Sequence, residues 1–176
     1  MRESGRPIPM SRSRVLFILL CFGTLGPCVG RSRDRPVVAA PGPHGAAQVT
    51  LANGKKTMVP KERGQAGISD PQTAPDDRTV GWLVDYNIES LSYPISGTLI
   101  VWRAGKVLRR FGTEQVFYSW TFYAHGKQVA YHTGPTHGEQ KSHCELHDVE
   151  SGRRLAVWDG DLESSDRPDW TTGLNH

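Results

Sequence analysis

One stretch of this chain is written twice, and the spacing of the copies limits what the chain can fold into. Ala74 to Leu83 lines up with Tyr123 to His132 at an offset of 49 residues, and Leu99 to Phe111 lines up with Leu146 to Trp158 at an offset of 47. The difference between the offsets falls in the loop between the paired segments, where a change of length costs little. A repeat of this period marks architectures in which each repeat is one small sheet. The chain is therefore expected to be all-β, with two four-stranded antiparallel blade-like sheets plus an N-terminal hairpin.

Alternation along the chain places the strands. Val80, Trp82, Val84 and Tyr86 alternate with Gly81, Leu83 and Asp85, the period of a strand with one heavily apolar face. Thr98 to Trp102 and Val107 to Phe111 form a hairpin across Arg103 to Lys106. In the second repeat Phe117 to Tyr123 pairs with Gln128 to Thr133, and Cys144 to Val149 pairs with Arg154 to Trp158 over Glu150-Ser151-Gly152. Strict alternation along Phe117 to Tyr123 puts Phe117 and Tyr123 on one face and Tyr118, Trp120 and Phe122 on the other. Asn53-Gly54 between Val49 to Leu51 and Thr57 to Val59 is a hairpin signal, with both turn positions expected at positive φ. Pro94 breaks the loop between Asn87 and Ser96.

The ends read differently. Arg2, Arg6, Arg12 and Arg14 precede the apolar run Val15 to Phe22, and small residues lead out through Cys28-Val29-Gly30. This is the pattern of a secretory signal peptide over 1–30, with translation starting at Met1 or Met10. The run is shorter than the roughly 20 apolar residues that span a bilayer, so no stable membrane span is expected after cleavage. An uncleaved signal would instead leave a membrane anchor. Residues 31–46, rich in Arg, Pro and Gly, read as a flexible linker. An all-β domain follows over 47–176. It comprises a hairpin at 47–60, repeat one at about 68–111, repeat two at about 117–158 and a tail at 159–176 in which Trp170 can pack back on the last sheet.

Cleavage changes the composition. The whole chain has 21 basic and 18 acidic residues, but four arginines and Glu3 lie in the first 30, so 17 of each remain. A neutral remainder without a basic stripe gives no reason to expect nucleic-acid binding. Cys21 and Cys28 also leave, so Cys144 has no partner for an intramolecular disulfide and reads as a small buried hydrophobe beside Leu146.

Two segments carry a family resemblance. Ala74-Pro75-Asp76-Asp77-Arg78-Thr79-Val80-Gly81-Trp82 is similar to the S-P-D-G-K strand–turn–strand of TolB-like and WD40-like β-propeller repeats, and His147-Asp148-Val149-Glu150-Ser151-Gly152-Arg153 resembles the turn joining the last two strands of such blades. The resemblance covers about residues 68–160. Asp77 takes the glycine position of the first turn, and His125 stands where the family prefers Asp. Propellers close with about four to eight blades, so two blades are not a closed propeller. Either the two sheets pack on one another, or the hairpin and tail cover the open ends, or chains associate. The resemblance implies a secreted bacterial protein of periplasmic or extracellular location that serves as a binding platform.

The residues that can carry chemistry crowd into repeat two: His132, His137, Glu139, Lys141, His143, Glu145 and His147. His132, His137, Glu139, Lys141 and His143 flank the loop between its second and third strands, where blades place recognition, and are the candidate binding residues. His143, Glu145 and His147 share a strand face, but the two histidines stand four rises of about 3.3 Å apart, too far to share one ion directly. A metal site would need His143 with Glu145, or Glu145 with His147, plus His132 or His137 from across the loop, with His132, His143 and Glu145 as the set of choice. No Gly-x-Ser-x-Gly elbow is present, so no catalytic residue is assigned and no cofactor is expected. The sequence thus points to a non-enzymatic binding or assembly module with a protein or glycan partner, or with itself. The rival is a metal-dependent hydrolase using the histidine cluster.

Overall fold

Eleven strands, all paired antiparallel, build three open sheets in the computed structural model, which describes residues 35–136 and 142–174. The first sheet contains β1 (Pro36–Pro41), β2 (Ala47–Leu51) and β3 (Lys56–Val59). The second is a meander of β4 (Gln65–Thr73), β5 (Thr79–Tyr86), β6 (Ile95–Arg103) and β7 (Lys106–Gly112). The third repeats that order with β8 (Val116–Tyr123), β9 (Gln128–Gly134), β10 (Ser142–Asp148) and β11 (Arg154–Gly160). The protein is all-β as expected, and no helix among the described residues is long and apolar enough to cross a membrane. The proposed signal segment lies outside the described residues.

The three sheets stack. Ala39, Val49, Leu51 and Val59 of the first sheet meet Val80, Trp82, Val84, Ile100 and Trp102 of the second. The opposite face of the second sheet, with Leu83, Leu99, Val101 and Phe111, meets Phe117, Trp120, Val129 and Tyr131 of the third. On the far side of the third sheet Ala130, Cys144 and Leu146 are covered by Leu162, Leu174 and Trp170 of the C-terminal segment. The middle sheet is thus buried on both faces, which is why β5 is apolar at nearly every position rather than at alternate ones. Gly81 stands on the face toward the third sheet because the Trp120 ring occupies the space: a Cβ there would lie 2.6 Å from Trp120 Cη2.

The repeats agree in their turns. Asp77, with φ 54°, is left-handed in the first turn, as is Gly126, with φ 80°, at the matching place in the second. Asp is among the few non-glycine residues that visit this region, and the Asp77 carboxylate accepts from Arg35 Nη1 at 2.9 Å. Asp76 supports the turn by accepting from Arg78 N at 2.8 Å and Thr79 N at 2.9 Å. Gly105 and Gly152, with φ 85° and 74°, match in the same way in the later hairpins.

Four expectations change. The segment expected as a linker over 31–46 carries β1 from Pro36, followed by a short 3₁₀ turn, Pro43–Gly45. Its prolines are tolerated because β1 is an edge strand, and Ala39 is small enough to lie in the core. The N-terminal hairpin is therefore part of a three-stranded sheet. In the Asn53-Gly54 turn only Gly54 is left-handed, at φ 80°. Gly54 N donates to Leu51 O and Lys55 N to the Asn53 side chain, which closes the turn with one such residue. Finally, a bulge between Phe117 and Ser119 adds one residue to β8. It places Phe117 on the same face as Trp120 and Phe122, and turns Tyr118 outward, where its hydroxyl donates to Pro135 O.

Candidate functional site

Along β10 every second side chain points the same way, so His143, Glu145 and His147 line one face, as the alternation predicts. Register brings partners from both neighbours. Tyr131 of β9 sits opposite Glu145, and Asp159 of β11 sits opposite His143. The latter pairing depends on a bulge between Leu146 and His147; continuing the register of His147 with Arg154 would have put Trp158 there instead. The outcome is a cluster on the face that packs against the second sheet, where Phe111 of β7 meets the His147 ring edge-on with centroids 5.0 Å apart.

Glu145 is the hub. Tyr131 Oη donates to its Oε2 at 2.6 Å and Arg154 Nη1 to its Oε1 at 2.8 Å. His147 Nε2 lies 2.6 Å from Oε2, and His143 Nε2 lies 3.3 Å from Oε1. Burial by itself would raise the Glu145 pKa, but these bonds outweigh it and hold the carboxyl at about 2. Burial, followed by the bond to the Glu145 carboxylate, pushes the Tyr131 phenol well above its ordinary range. His143 places Nδ1 2.6 Å from Asp159 Oδ1, so both ring nitrogens face carboxylates. Burial disfavours its charge, yet the bonds to Asp159 and then Glu145 prevail and raise its pKa.

This arrangement is closed upon itself. A general base needs a free lone pair in reach of substrate, whereas both oxygens of Glu145 already accept from neighbouring side chains. A metal ligand needs a deprotonated nitrogen, whereas each His143 nitrogen faces a carboxylate. His147 Nδ1 lies 3.2 Å from Gly152 O, so that ring is engaged at both ends too. What the cluster does is tie β9, β10 and β11 together beneath Phe111.

His132 does not join it. Its cross-strand neighbour is Cys144, on the opposite face of the sheet from Glu145, and its ring packs against Tyr118 with centroids 5.1 Å apart. The proposed metal set of His132, His143 and Glu145 is therefore split between two faces by one step of register. Of the binding candidates, His137, Glu139 and Lys141 lie outside the described residues. His132 is buried, and His143 is held by Asp159. Among the described residues no group of three or more His, Cys, Asp or Glu is placed to hold a metal ion. Cys144 is fully buried beside Leu146, as expected, and burial pushes its thiol up to about 12.

Sequence reasoning missed Tyr131, Arg154 and Asp159 as members of the cluster. Tyr131 reads as one more core aromatic, and Asp159 as the start of an acidic loop. Only the strand register pairs them with β10. No family model matches this sequence, and no curated protein proves similar to it.

Proposed function

We propose that this chain is an exported module, periplasmic or extracellular, that binds or assembles with another molecule and has no catalytic activity of its own. The observation that carries this reading is the closed network around Glu145. Among the described residues, His143, Glu145 and His147 spend their donors and acceptors on one another and on Tyr131, Arg154 and Asp159. In support of a blade origin, the second and third sheets share strand order and the positions of left-handed turn residues, which suits propeller-type repeats of the TolB-like or WD40-like kind. Blades host function in sites grafted onto their rims and loops, so a protein, a glycan or a small ligand fits this scaffold better than a buried reaction centre. The apolar run and small residues of 1–30 support export.

The test is a search for turnover. The full chain is incubated with chromogenic ester, phosphoester and glycoside substrates, with Zn²⁺, with Mn²⁺ and with chelator. The expected outcome is no hydrolysis above the protein-free rate in any condition. Metal-dependent hydrolysis that disappears in His143→Ala would overturn the reading in favour of a hydrolase.

A further inference from the structure

A second feature of the surface has no counterpart in the sequence pattern. Between the first and second sheets a cleft of about 890 Å³ opens, lined among others by Arg35, Lys55, Arg78 and Arg103. The four cations come from four separate places: the residue before β1, the β2–β3 turn, the β4–β5 turn and the end of β6. No acidic residue lines the cleft.

Some of this charge is already matched. Arg35 Nη1 pairs with Asp77 at 2.9 Å, and Arg103 pairs with Glu150 at 3.0 Å and Asp76 at 3.7 Å. Arg103 also donates from Nε to Thr79 Oγ1 at 2.8 Å, so these two guanidinium groups are held in place as walls. Lys55 and Arg78 are exposed and make no ion pair with any described residue. They offer two uncompensated charges at the mouth of the cleft, whose lining also includes the buried side chains of Trp102, Leu51 and Pro36.

We propose that this cleft binds a small molecule carrying at least two anionic groups, carboxylate or phosphate. The volume suits a small ligand. Arginine suits planar bidentate recognition of either anion, while lysine contributes a mobile point charge. A long nucleic acid fits poorly, because the cations ring a pocket instead of tracking along a strand. The inference rests on the binding-module reading and names the ligand class for it.

The experiment is calorimetric titration of the full chain with citrate and with tripolyphosphate, which separate a polycarboxylate preference from a polyphosphate one. Saturable one-to-one binding of at least one probe is expected, weakening as salt rises from about 50 mM to about 300 mM. The double variant Lys55→Ala/Arg78→Ala should bind at least about tenfold more weakly, the effect of removing two charge-assisted contacts. Both side chains are exposed and unpaired, so this variant should keep its circular dichroism spectrum and melting temperature. Arg110→Ala, which removes a cation paired with Glu62 toward the other end of β7, should bind like the parent. No saturable binding of either probe up to about 10 mM would overturn the cleft assignment. So would equal affinity in parent and double variant. Neither result touches the non-enzymatic reading, which falls if turnover above the protein-free rate appears.

Discussion

Glu145 shows how one residue can carry much of a sheet's polar bonding. Its side chain is only 12% exposed and accepts from Tyr131, His143, His147 and Arg154. A carboxyl lowered from 4.5 to about 2 contributes stability that is full above 4.5 and lost as pH falls toward 2. The size of that loss is on the order of 3 kcal/mol. His143 has the opposite sign. Its raised pKa contributes stability below its ordinary 6.5, and that contribution is lost as pH rises through the folded value. Urea denaturation across the pH range should therefore show greatest stability between about 4.5 and 6.5. Glu145→Gln should flatten the acid limb; a variant with the parent's acid limb would show that Glu145 is not the hub.

At the scale of the element, what decides a strand is what lies against it. Gly81→Ala would drive a methyl to 2.6 Å from Trp120 Cη2 and 3.0 Å from Ile100 O, both on well-packed neighbours. The expected loss is about 1–3 kcal/mol by urea denaturation. Gly112→Ala, whose Cβ would meet nothing closer than 3.9 Å, should change stability by less than about 0.5 kcal/mol. Equal effects would contradict the packing of Trp120 on β5. The same dependence explains which elements were legible beforehand. β5 to β11 announce themselves by apolar runs or alternation and by hairpin turns at Gly105, Gly126 and Gly152, because these signals are local. β1 does not, since its flanking prolines mimic a linker and its apolar partners come from β2 and the second sheet. The bulge at Tyr118 was equally hidden: alternation assumes an unbroken ladder, and one added residue reverses every face beyond it.

At the scale of the molecule, three sheets and a C-terminal cover form successive layers with a core in each seam. Trp82 fills the seam between the first and second sheets, and Trp120 the seam between the second and third. Trp120 is further held by donating from Nε1 to Asp70 O at 3.0 Å, at a bulge of β4 that contains Pro71. Trp82→Ala and Trp120→Ala should each cost about 3–5 kcal/mol in thermal or urea unfolding. An unchanged melting temperature for either would refute the layer that it fills. Because the middle sheet belongs to both seams, each variant should still unfold in a single transition.

The division between sequence and structure follows the range of the forces. Period-two alternation, turn chemistry and the internal repeat are short-range properties, and from them the sequence alone determined an all-β chain of two four-stranded meanders. It also placed His143, Glu145 and His147 on one face, since that needs only the pleat of a single strand. The partners of that face depend on register between strands, and two bulges reset the register by one residue each. The unbroken β9–β10 ladder sets Tyr131 opposite Glu145 and His132 opposite Cys144 on the other face, and the bulge between β10 and β11 brings Asp159 opposite His143. The cationic cleft lies further still from anything local. Arg35, Lys55, Arg78 and Arg103 are scattered through a stretch of near-neutral composition, and they converge only because apolar burial stacks the first sheet on the second. Where charges meet is settled by the packing that carries them there.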